Sequence, residues 1–222
     1  MKYRYLIVIL GISLIFTACG LDNYDAPKST LKGRITYKGE TLGLRGTGEA
    51  VQLQLYQDGY ELRDNIPVYV SQDGTFEALL FDGEYKLVTR NQNGPWVNSR
   101  DTTVINLKGS TSIDVEVTPY FTISDANISL NGSELKGNFT VNKIVETAEI
   151  EYVMLLVSKT NFVDDVSNIA RKDFNDKEPG TVNLSMTLSD DVMNKSKALF
   201  GRVGVRAKGA DQAIYSEVIR LR

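Results

Sequence analysis

The chain has 222 residues, 42 % of them hydrophobic and 24 % charged, a composition of folded globular chains with room for one large or two small domains. One cysteine and no histidine exclude an internal disulfide and remove the commonest general base and metal ligand. The formal charge is −3, and from Cys19 onward 23 basic residues face 28 acidic ones with no basic block longer than Arg171-Lys172, which excludes the phosphate-neutralising patch that nucleic acid requires.

Lys2 and Arg4 open the chain and are followed by an apolar run from Leu6 to Phe16. That run is short for a spanning helix, which needs roughly 20 apolar residues. It has the length of a signal-peptide core, and the small residues Thr17 and Ala18 suit the cleavage site. Residues 1–18 are therefore expected to be a signal peptide and 19–27 a polar tether. Phe16-Thr17-Ala18-Cys19-Gly20 resembles the lipobox of bacterial lipoproteins, with Phe16 where leucine is usual. The resemblance implies a diacylglycerol on the Cys19 thiol, and each buried CH₂ of such chains contributes about 0.8 kcal/mol to anchoring. A soluble secreted protein with an incidental cysteine is the alternative. Asp22 and Asp25 behind the cysteine resemble the surface-export signal of Bacteroidetes lipoproteins, which implies an outer-membrane lipoprotein on the cell surface.

From Leu31 the apolar period is two, the signature of half-buried strands. Val51-Gln52-Leu53-Gln54-Leu55 and Ile113-Asp114-Val115-Glu116-Val117 alternate strictly. Further strands are expected over Leu31 to Tyr37, Val68 to Val70, Thr75 to Leu80, Glu84 to Thr89 and Thr102 to Leu107. Asp58-Gly59, Asp73-Gly74, Asp82-Gly83 and Asn93-Gly94-Pro95 supply the turns between them. About seven short strands at this spacing predict a Greek-key sandwich over 28–118. Asp73-Gly74-Thr75-Phe76 followed by Asp82-Gly83-Glu84-Tyr85 is similar to the signature of transthyretin-like and carboxypeptidase-regulatory-like domains.

Pro119 marks a boundary, because proline removes a ladder donor and is foreign to central strands. Beyond it, Leu135, Gly137, Phe139 and Val141 alternate with polar residues. Ile150 to Val157 is a continuous apolar run suited to a central strand. Leu184, Met186 and Leu188 alternate again, as do Val203, Val205 and Ala207 against Arg202, Gly204 and Arg206, and Ser216 to Leu221 forms a last strand. This predicts an all-β second sandwich, immunoglobulin- or fibronectin-like, over 119–222, folding separately from the first. Phe162, Val166, Ile169 and Ala170 lie at helical spacing and predict one short helix. Tyr120 and Phe121 are expected to pack between the domains.

The layout as a whole resembles an uncharacterised family of two-domain Bacteroidetes lipoproteins, with a transthyretin-like first domain and an immunoglobulin-like second one. The lipobox, Asp73-Gly74, Gly83-Glu84-Tyr85, Val117-Thr118-Pro119-Tyr120 and Gly201 to Arg206 carry the resemblance. Such proteins are often encoded beside SusC/SusD-type glycan importers, which the resemblance implies as partners.

Without histidine no Ser-His-Asp or Cys-His arrangement exists, and Gly43, Gly46 and Gly48 do not match a phosphate loop. Asp164-Asp165 and Asp190-Asp191 are the paired carboxylates. A glycosidase could use such a pair, but adjacent acids point apart, and solvated turn acids or a helix N-cap describe them better. The chain is expected to be no enzyme and to need no cofactor or metal. Trp96 follows Asn93-Gly94-Pro95, near Arg90, Asn91 and Gln92. It is either a sugar-stacking ring, with Arg90, Asn91 and Asn93 holding hydroxyls, or simply core packing. Asp101-Thr102-Thr103 matches a Bacteroidetes O-glycosylation pattern, with Thr102 as acceptor. The function expected is a glycan-binding or scaffolding accessory of an importer, the alternative a structural or adhesion spacer that binds a protein partner.

Overall fold

The computed structural model describes residues 25–99 and 101–222. The expected signal peptide, Cys19 and most of the expected tether lie outside the described residues.

The first half is built from β1 (Ser29–Tyr37), β2 (Glu40–Thr41), β3 (Gln52–Tyr56), β4 (Ile66–Tyr69), β5 (Thr75–Leu80), β6 (Gly83–Thr89), β7 (Thr103–Leu107) and β8 (Ser110–Glu116). In one sheet β1 runs antiparallel to β2 and β5 and parallel to β8. The other has the order β4-β3-β6-β7. Alternation drives the packing: Leu31, Ile35, Leu53 and Leu55 are wholly buried, each stabilising by about 1.5–3 kcal/mol relative to exposure. The two turn motifs have structural work to do. Asp73 Oδ1 accepts from the Thr75 N–H at 3.2 Å and its hydroxyl at 2.7 Å, closing the turn before β5. The buried Tyr85 donates its hydroxyl to the Phe81 carbonyl at 2.9 Å, pinning the start of β6.

The second half contains β9 (Phe121–Asn131), β10 (Glu134–Lys143), β11 (Ile150–Ser158), β12 (Ala170–Phe174), β13 (Gly180–Thr187), α1 (Asp190–Lys195), β14 (Phe200–Ala207), β15 (Ala213–Tyr215) and β16 (Ile219–Arg220). A three-stranded β13-β10-β9 sheet accompanies a five-stranded one of order β12-β11-β14-β15, with β16 also on β14, two sheets facing each other as in a β-sandwich. The protein is all-β, two tandem sandwiches.

Several local expectations are corrected. The helix expected at Phe162, Val166, Ile169 and Ala170 is a run of bends that ends in β12. Its side chains share no face: Phe162 and Val166 are exposed while Val163 is wholly buried. The helix lies instead at Asp190–Lys195, where Ser189 Oγ caps the Val192 N–H and both aspartates occupy the first turn, favourable to the helix dipole. β9 escapes the period-two signal because a bulge opposite Asn138–Thr140, with Asp125 at φ 55°, flips the alternation midway. The last strand is broken at Ser216, whose hydroxyl accepts from the Val203 N–H at 3.2 Å.

The hydrophobic cluster runs without interruption from Leu31 through Trp96, Val117 and Phe121 to Leu135 and Val205. The two sandwiches thus share a continuous interior across the junction. A smaller cluster of Met154, Leu156, Val163, Ala213 and Tyr215 covers the other face of β11. That explains why Ile150–Ser158 reads as a continuous apolar run.

Candidate functional site

The loop singled out in the sequence is sewn into the junction. Trp96 is 3 % exposed and forms an isolated bridge with Pro119. Val97 N–H donates to the Thr118 carbonyl at 2.9 Å and Tyr120 N–H to the Pro95 carbonyl at 3.0 Å. The indole lies directly on Gly94, where a Cβ would collide with its Cε2. Asn93 is buried and accepts from Gln52 N–H at 2.6 Å while donating to the Ala50 carbonyl at 2.7 Å. Arg90 is exposed and donates to Gln52 Oε1 at 2.8 Å, and Asn91 is exposed. The sugar-stacking reading of Trp96 is therefore corrected, because a covered ring offers a ligand no face. Phe121 is buried beside it and Tyr120 half-buried against the same cluster.

A second junction contact was not legible. On β14, Arg202 stands in a polar slot of the alternation yet is 1 % exposed. Its Nε donates to the Ser216 carbonyl at 2.7 Å, Nη1 to the carbonyls of Leu44 at 2.9 Å and Val163 at 3.1 Å, and Nη2 to that of Gln72 at 2.9 Å. The guanidinium also lies 4.6 Å from the Tyr215 ring centroid, a cation–π geometry. Burial brings its pKa down to about 10 against the pull of Tyr215, Asp164 and Asp73, so it stays charged at neutral pH.

Acidic groups surround it. Asp164 is fully buried. Its carboxylate accepts from the Thr47 hydroxyl at 2.7 Å and N–H at 3.2 Å, the Val166 N–H at 3.0 Å and the Ser167 N–H at 2.7 Å. Burial alone would raise its pKa, but the bonds from Ser167, Thr47 and Val166 together hold it below the ordinary value. Asp165 accepts from the Tyr215 hydroxyl at 2.9 Å and lies 3.6 Å from Arg45 Nε. Burial, with Asp165 adding to it, pushes the Tyr215 hydroxyl well above the tyrosine range. The sequence reading of this pair as solvated turn acids is corrected: they hold the two sandwiches together.

Beside this contact opens a cleft of about 530 Å³ between the sandwiches. The first contributes Thr41 and the Ser71–Asp73 turn, the second Asn161, Phe162, Glu217 and one face of Arg202. Phe162 is 57 % exposed at its edge. Gln72 spans the gap, its Nε2 donating to the Asn161 carbonyl at 2.8 Å, while its buried Oε1 has no donor among the described residues. An acceptor left so costs about 1–3 kcal/mol. An apolar ring beside carboxylates and amides suits a polyhydroxylated ligand with one C–H face. Sequence reasoning placed Phe162 on a helix face and so missed it.

A wider groove of about 790 Å³ lies along Leu87–Thr89, Val97–Ser99 and Asp114–Thr118 and contains no aromatic ring. Thr102, exposed ahead of β7, is accessible. Among the described residues no group of three or more His, Cys, Asp or Glu side chains is placed to hold a metal ion.

Two family models match the chain. One, described as the N-terminal domain of a protein of unknown function (DUF3823), covers residues 29–118. The other, described as a domain of unknown function (DUF3823_C), covers residues 121–220. A solved DUF3823 family protein from Parabacteroides merdae is 60 % identical with TM-score 0.86, covering 89 % of this chain and all of its own. One from Bacteroides ovatus is 34 % identical with TM-score 0.80, covering 87 % of this chain and 98 % of its own. A candidate carbohydrate binding protein of Bacteroides uniformis shares the fold at 16 % identity and TM-score 0.74, over 88 % of this chain and 99 % of that one. No curated protein matches the chain.

Proposed function

The chain belongs to the DUF3823 family, and from that premise we propose that it is a non-catalytic surface lipoprotein that binds oligosaccharide in its interdomain cleft. It would serve there as an accessory of a SusC/SusD-type polysaccharide uptake system. The observation that carries this reading is the cleft beside Phe162, with its exposed ring and the flanking Asp73 and Glu217. Sugars stack C–H faces on rings, and their hydroxyls pair with carboxylates and amides. The carbohydrate-binding description of the Bacteroides uniformis protein, which shares the fold, agrees with it.

A spacer role is the second reading, favoured by the buried Arg202 that fixes one sandwich on the other. Calorimetric titration of residues 25–222 with a panel of oligosaccharides separates the two. Binding that disappears in Phe162→Ala supports the cleft. A chain that binds none of them is a spacer.

A further inference from the structure

Strand register sorts the loops of the first sandwich into two ends. Ser29, where β1 begins, faces Leu80 at the end of β5, and Thr30 faces Ser110 at the start of β8. Gly83 at the start of β6 faces Leu107 at the end of β7, and Leu55 near the end of β3 faces Ile66 at the start of β4. The entering chain, the Phe81-Asp82 turn, the Lys108-Gly109 turn and the loop from Gln57 to Asn65 therefore gather at one end. Side-chain contacts agree: Ser29 Oγ bonds Asp82, the Gly109 N–H donates to Ser29 Oγ at 2.9 Å, and a Cβ on Gly83 would stand 2.6 Å from Gln57 Nε2. The cleft and the Ser71–Asp73 turn occupy the other end, beyond the nine residues of β1, a rise of about 30 Å.

The entering end carries apolar side chains that the core does not use. Tyr60 is 65 % exposed, Leu62 77 %, Leu79 60 % and Phe81 53 %. Single exposed apolar groups are ordinary, but a cluster at one tip marks a docking surface. Nine residues lie between Cys19 and Ser29, a span of at most about 35 Å extended and roughly 18 Å as a flexible coil.

We propose that this tip docks onto the bilayer that holds the Cys19 lipid, with Tyr60, Leu62, Leu79 and Phe81 in the interfacial layer. The proposal rests on the lipoprotein reading of Cys19. Tyrosine favours the membrane interface and Leu and Phe bury their side chains there. Once the lipid is inserted the tip meets the bilayer at a high effective concentration, so a few side chains suffice. The cleft then opens away from the membrane, toward whatever the cell surface meets.

The test reconstitutes the full lipoprotein into phosphatidylcholine–phosphatidylglycerol vesicles with or without brominated acyl chains. Bromine quenches only indoles that reach the bilayer, and Trp96 is a buried, constant background. The Leu62→Trp variant is expected to lose most of its added emission in brominated vesicles, and Glu40→Trp, at the opposite end of β1, to lose none. Equal emission loss in both variants, or none in either, overturns the docking. Intact mass tests the premise separately: an unmodified Cys19 in cell-derived protein overturns the anchor reading, and the proposal with it, whatever the quenching shows.

Discussion

Arg202 Nη1 of the second sandwich donates to the carbonyl of Leu44 in the first at 2.9 Å, across 158 positions of sequence. The same guanidinium serves the carbonyls of Ser216, Val163 and Gln72, so one side chain ties four segments together at the floor of the cleft. Tyr215 N–H donates to the Gly43 carbonyl at 2.9 Å next to it. A Cβ on Gly43 would collide with the Tyr215 carbonyl oxygen, so only glycine permits that approach.

With a shared interior and this buried cation, the two sandwiches are expected to unfold together, in contrast to the separate folding expected from the pattern alone. Calorimetry should show one cooperative transition. Arg202→Ala strands several buried carbonyls and leaves a cavity, a destabilisation of about 3–5 kcal/mol. Arg202→Lys should rescue little, since one ammonium cannot reproduce the fork.

The carboxyl of Asp164 gives the junction an acid limit. Its folded pKa lies below the ordinary 3.8, so its stabilisation is complete above that value, declines as the pH falls beneath it, and vanishes below the folded pKa. Urea midpoints of the wild type should therefore exceed those of Asp164→Asn at pH 7 and converge with them at strongly acidic pH. A gap that does not change with pH would show that the charge contributes nothing.

Trp96→Ala is expected to cost about 3–5 kcal/mol as the loss of a core aromatic and to act through stability rather than through any ligand. Gly94→Ala should destabilise too, because the new methyl collides with the indole. Thermal denaturation followed by circular dichroism reads both. An unchanged midpoint for either would mean that the ring does not pack where it is placed.

Phe162→Ala should behave in the opposite way. The side chain is more than half exposed, so stability should stay within about 0.5 kcal/mol of wild type while oligosaccharide affinity is lost. Titration and denaturation of the same preparation check both halves of the statement.

Cys19→Ser is expected to move the protein from the membrane fraction to the soluble one or to leave it as precursor. Fractionation of cells checks this, and a variant that still partitions wholly into outer membrane contradicts the anchor.

Much of the fold is a local property of this sequence. The alternation in Gln52–Tyr56, in Thr75–Leu80 and from Leu184 to Leu188 sets which faces are wet, because a strand turns successive side chains to opposite sides whatever surrounds it. The Asp73-Gly74 and Asp82-Gly83 turns and the Pro119 boundary are equally local. What the tertiary structure alone decided is which polar positions are buried. Arg202 sits where alternation predicts solvent, and its acceptors are backbone carbonyls, which every residue has and no sequence pattern marks. Asp164 and Trp96 were ambiguous for the same reason, since a side chain's exposure depends on segments far away in the chain. Those segments meet only when the sandwiches close on each other, and the cleft beside Phe162 exists only then.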